Sequence, residues 1–104
     1  MSVNSNTGSV ITLAEAVTYM TAYRTKFPDE AKGFFIGSDK LDLILSQEDC
    51  IGVRIYNGYD DSEGIMNQVL VGVDKDGDDL SDGIILEKLA PCPKICSPNS
   101  PFNF

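Results

Sequence analysis

The hydrophobic pattern changes period along the chain. Residues 1–10 are small and polar and read as a flexible arm. Thr12-Leu13-Ala14-Glu15 is a capping box, with Thr12 as N-cap, Glu15 at the third helical position and Ile11 at the staple position before it. Apolar residues follow at Leu13, Ala16, Val17, Met20, Tyr23 and Phe27, a helical stripe. Pro28 disfavours helical geometry at Phe27, so the pattern predicts a helix over 12–26. Gly33-Phe34-Phe35-Ile36-Gly37 is a short apolar run between glycines, read as a brief strand or a buried extended segment. Ser38 is placed to cap a second helix, with Asp39 in its first turn. Leu41, Ile44 and Leu45 mark its buried face, and it should fade near Gln47.

From Cys50 the period becomes two. Ile51, Val53 and Ile55 alternate with Gly52, Arg54 and Tyr56, the mark of a half-buried strand. Residues 57–64 are rich in turn formers and read as a loop. The next strand runs to about Val73, with Val69, Val71 and Val73 on one face and Leu70 and Gly72 on the other. Strands joined by a loop should pair antiparallel. Asp74-Lys75-Asp76-Gly77-Asp78-Asp79 reads as a second turn, and Ile84–Glu87 as a third strand or a short helix. Pro91, Pro93, Pro98 and Pro101 leave residues 91–104 irregular or polyproline-like. The expected fold is α+β. A domain over 11–90 packs two N-terminal helices on one face of a three- to four-stranded antiparallel sheet, and an irregular Pro-rich tail follows.

Composition narrows the function more than the fold. The 104 residues carry 8 Lys+Arg against 16 Asp+Glu, a formal charge of −8, so no basic patch is available for nucleic acid. The absence of histidine excludes Ser-His, Cys-His and His-metal chemistry within one chain. No stretch is apolar enough for a membrane span, and the start has neither the charge nor the apolar run of a signal peptide. A soluble, cytoplasmic protein is expected.

Candidate chemistry is sparse. Asp74, Asp76 and Asp78 alternate as in the first half of an EF-hand loop. The sixth position is Asp79 instead of glycine and the twelfth is Ile85 instead of glutamate, so a solvated turn is the plainer reading of these metal candidates. Cys92 and Cys96 form a C-x3-C pair that lacks the four ligands of a zinc site, with only Cys50 as a further sulfur. They read as apolar anchors for the tail or as a facultative disulfide. Among 16 carboxylates nothing singles out a catalytic pair, and no phosphate loop or dinucleotide fingerprint is present. Phe102 and Phe104 end a proline-rich segment, where a free tail would be polar; they fold onto the chain's own surface or dock on a partner.

Several segments carry a resemblance. Ala16–Arg24, Lys32–Gly37, Cys50–Tyr56 with Gly58-Tyr59, Val69–Asp74, and Pro91-Cys92-Pro93 with Cys96 resemble, in that order, a group of small uncharacterised bacterial proteins, mainly of the Bacteroidota. The resemblance implies no activity and no catalytic residues; it implies that the Cys-Pro tail belongs to the folded unit. The expected function is a small acidic, non-enzymatic protein–protein interaction or assembly module without cofactor. It would act through Cys92, Cys96, Phe102 and Phe104 on a protein partner or a second copy, not on nucleic acid or membrane. The alternatives are a calcium-responsive domain using the Asp74–Asp82 loop, an acidic inhibitor of a nucleic-acid-binding protein, and an enzyme with an unlocated carboxylate pair.

Overall fold

A computed structural model describes residues 2–93 and 95–102. The elements run α1 (Leu13–Lys26), β1 (Gly33–Phe35), α2 (Ser38–Leu45), β2 (Gly52–Asp60), β3 (Ile65–Val73), β4 (Ile85–Leu86) and β5 (Ala90–Cys92). The class is α+β. Where one sheet is expected, the described strands make two: a ribbon of β1 with β5, and a sheet ordered β2-β3-β4, both antiparallel.

α1 starts where its capping box predicts. The Glu15 amide donates to Thr12 Oγ1 at 3.1 Å, and the Thr12 amide donates to Glu15 Oε1 at 3.1 Å. These bonds serve amides that have no partner within the helix. α2 differs by one position: Gly37 is its N-cap, and Ser38 is already helical with no side-chain capping bond at the start. Of its expected buried face only Ile44 is fully buried, while Leu45 remains 45% exposed.

β2 and β3 pair over nine residues each, from Gly52↔Val73 to Asp60↔Ile65. The ladder runs through Asn57–Asp60, which sequence reading assigns to a loop. The Asp60 carboxylate accepts from the Ser62 and Glu63 amides and from the Ser62 hydroxyl, closing a tight turn and letting pairing continue to its edge. β4 joins through Leu70↔Leu86 and Val71↔Ile85. Ile55, expected on the buried face of its strand, is 56% exposed.

The fully buried apolar side chains among the described residues are Ile44, Leu70, Val71 and Val73. Both faces of the end of β3 are therefore covered. A Cβ on Gly72 would lie 2.8 Å from Gln47 Nε2 and 3.0 Å from Cys50 Sγ, so glycine lets the segment after α2 close on the strand. Gln47 ties that corner: its Nε2 donates to the Ile44 carbonyl at 3.0 Å, and its Oε1 accepts from the Ile84 amide at 2.8 Å. α1 holds no fully buried residue. The radius of gyration is 15.2 Å, against about 13 Å for a compact chain of this length.

The tail also departs from expectation. Its first residues are a strand, with Phe34↔Pro91 and Gly33↔Cys92 in register. A two-stranded ribbon has only edges, the setting in which a proline without an amide is tolerated. Cys92 and Cys96 are joined by a disulfide with Cα atoms 4.8 Å apart, and the Ile95 amide within that loop donates to the carbonyl of Pro91, just before it, at 2.8 Å.

Candidate functional site

An apolar groove lies between α1, the β1–β5 ribbon and one face of the sheet. The helical stripe of α1 brings Met20 and Tyr23 to it, and Tyr19 stands at its edge, 67% exposed. β1 contributes Phe34, and β3 contributes Met66. The Tyr23 hydroxyl lies 3.8 Å from Met66 Sδ, linking helix to sheet. The Tyr23 and Phe27 rings stand 5.2 Å apart, as paired aromatics do on successive helical turns. The hollow holds about 310 Å³.

A second hollow of about 220 Å³ continues it on the far side of Phe34 and Phe102, beneath Ile95 and the disulfide loop. Phe102 is half-buried and lines both hollows, as Met20 and Phe34 do. Its amide donates to Ser100 Oγ at 3.0 Å, fixing the turn that presents the ring. Cys92 and Cys96 line the second hollow. Phe104 lies outside the described residues. The walls are chiefly apolar, and Phe35 and Ile95 at the rim are 66% and 64% exposed. Arg24 and Lys32 place positive charge in the wall of a chain whose net charge is −8.

The acidic loop is arranged differently. Asp74 Oδ1 accepts from the amides of Asp76, at 2.9 Å, and Asp78, at 3.0 Å, and the Gly77 amide donates to the Asp74 carbonyl at 3.0 Å. Gly77 takes a φ of 84°, open to glycine at little cost. Asp74 thus organises the turn from within, as a carboxylate at the head of an Asx-turn does. No group of three potential ligands that could hold a metal ion occurs among the described residues.

One polar cluster was not visible in the sequence. Alternation puts Arg54 and Tyr56 on the same face of β2, and both reach Asp79, which bridges to Val73 beyond β3. Arg54 Nη1 donates to Asp79 Oδ1 at 2.5 Å and to the Gly77 carbonyl at 3.2 Å, and the Tyr56 hydroxyl donates to Asp79 Oδ2. The Tyr56 hydrogen bond, with the Arg54 guanidinium, holds the Asp79 carboxyl below the usual carboxylate range. Asp79 in turn raises the pKa of Tyr56 and of Arg54. A tyrosine held protonated in this way is a poor base or nucleophile. The cluster fastens the 74–79 loop over the sheet.

No family model, curated protein or solved structure matches the chain. Among the described residues no helix is long and apolar enough to cross a membrane. The groove residues Met20 and Tyr23 were legible as a helical stripe and Phe34 as an apolar run. The groove itself was not legible, because nothing local says that these faces meet across an open hollow and not a closed core.

Proposed function

We propose that the chain is a non-enzymatic protein–protein interaction or assembly module, and that the groove beneath Phe102 receives an apolar side chain from a protein partner. The observation that carries this reading is the combination of apolar walls with well-exposed Tyr19, Phe35 and Ile95 at the rim. Exposed apolar surface gathered around a concavity is characteristic of binding sites, because its burial drives association. The disulfide and the β1–β5 ribbon set one wall in advance, which lowers the ordering cost on binding. The calcium alternative has thinner support, since Asp74 Oδ1 is already engaged by two backbone amides.

Panning a random peptide library on the full chain tests the reading. Peptides sharing an aromatic or aliphatic anchor are expected, with binding lost in Tyr19→Asp. Tyr19 is 67% exposed, so the variant should melt like the parent. Peptides that bind Tyr19→Asp equally well would place the site elsewhere, and failure to enrich any peptide would refute the groove as a binding surface.

A further inference from the structure

The strand edges are protected unequally. β4 is two residues long, and β5 carries Pro91. Short strands and prolines are devices that keep sheet edges from pairing with other chains. In the sheet order β2-β3-β4, no strand of the described residues lies beside the outer edge of β2, and it runs for nine residues without proline or lysine. Ile55, Tyr56 and Tyr59 along it are 56%, 46% and 63% exposed. The N-terminal arm lies beside Ile51–Ile55, yet among the described residues no backbone hydrogen bond joins the arm to β2.

We infer that β2 pairs with β2 of a second copy, antiparallel, about a two-fold axis through Asn57, making one continuous six-stranded sheet. The inference rests on the assembly-module reading and names its partner. Antiparallel strands place opposed residues on the same face, so a two-fold that keeps both faces continuous must pass through a residue. With the axis at Asn57, Ile55 opposes Tyr59 of the copy twice over, uniting two exposed apolar side chains in an aromatic–β-branched pair. Tyr56 opposes Gly58, where no side chain crowds the ring. Arg54 opposes Asp60, placing opposite charges across the seam on each side of the axis in addition to the bonds Arg54 makes to Asp79 and Asp60 makes to Ser62 and Glu63 within each chain.

Neighbouring registers lose this match. An axis at Tyr56 sets Arg54 against Gly58 and Asp60 against Gly52. An axis at Gly58 sets Asp60 against Tyr56 and Tyr59 against Asn57. Two copies of charge −8 repel, so the placement of Arg54 against Asp60 at the seam matters for register and approach. The ladder over 54–60 overlaps the stretch beside the arm only at Arg54 and Ile55.

Sedimentation equilibrium on the full chain, from about 1 μM to about 1 mM, should show a monomer–dimer equilibrium. Ile55→Lys should weaken it by about tenfold or more, since a lysine on the seam blocks pairing. In Asn57→Cys, mild oxidation should give a covalent dimer whose peptide map shows a link from 57 to 57. A chain monomeric throughout the range would overturn the inference and leave the groove untouched, because peptide binding and its loss in Tyr19→Asp are read on the monomer. A dimer that survives Ile55→Lys without a link at 57 would overturn it too, by placing the contact on another surface.

Discussion

The two halves of the molecule are held by different means. The β2–β3–β4 sheet with α2 closes around Ile44, Leu70, Val71 and Val73, all buried. The α1–β1–β5 half contributes none of these; its aromatic and aliphatic side chains line an open groove, and a disulfide holds one wall. In the first half apolar residues are spent on cohesion, at roughly 1.5–3 kcal/mol for each side chain fully removed from water. In the second they stay at the surface. Their partial exposure leaves that free energy available to a binding partner and leaves the half itself less tightly held.

The largest effect should come from the closed half. Leu70 is 3% exposed in the middle sheet strand, opposed by Ile55 and Leu86. Leu70→Ala should cost about 2–5 kcal/mol, read from denaturant midpoints, because the neighbours close only partly over the lost volume. The counterpart in the open half is Phe34, which lines both hollows. A Leu70→Ala midpoint within experimental error of the parent would mean that the sheet is not the cohesive half.

A second measurement separates the halves. The disulfide closes a loop between residues four apart, worth about 2 kcal/mol at most by loop entropy. Replacing Cys92 and Cys96 by serine should therefore act locally. Amides of the β1–β5 ribbon should exchange faster by mass spectrometry, while those of β2 and β3 keep their protection. Equal loss of protection in both regions would show that the ribbon and the sheet unfold as one.

The sequence was most legible where structure is local. Thr12 and Glu15 fixed the start of α1 because a capping box is complete within four residues. The β2–β3 hairpin follows from period-two alternation; the structure differs at Ile55, which is exposed, and at the turn, since Asp60 can head a tight turn while still paired with Ile65. Pairings between distant segments were not legible. β1 meets β5 across more than fifty residues, and an apolar run at 33–37 with a proline at 91 carries no sign of its partner. The same holds for the candidate site. Cys92, Cys96 and Phe102 stood out by residue type, but the hollow they border also needs Met20 and Phe34 from two other elements, and its neighbour needs Met66 from a third. Asp79 looked like one more turn carboxylate, and its bonds to Arg54 and Tyr56 exist only after β3 has come between them.

That last cluster gives the smallest expected effect and the sharpest test of where cohesion lies. The folded state lowers the pKa of Asp79, first through the Tyr56 hydrogen bond, so its contribution is complete above the unfolded carboxyl value of about 3.9. It is lost as pH falls through the lower folded value. Tyr56 has the opposite sign: its pKa is raised, chiefly by Asp79, so its contribution is complete below about 10 and lost as pH rises through the folded value. The difference in melting temperature between the parent and Asp79→Asn should therefore be a plateau between about pH 5 and pH 9 that shrinks toward both extremes. Glu15 and Asp60 are also lowered, by Thr12 and by Ser62, and both persist in the variant, so some acid sensitivity should remain. Both residues are largely in water and the effect is modest, so its location is more telling than its size. Faster amide exchange in Asp79→Asn should appear at 74–79 and along β2, with the groove amides unchanged. A variant that loosens the groove instead, or whose melting difference does not vary with pH, would show that Asp79 does not fasten the acidic loop to the sheet.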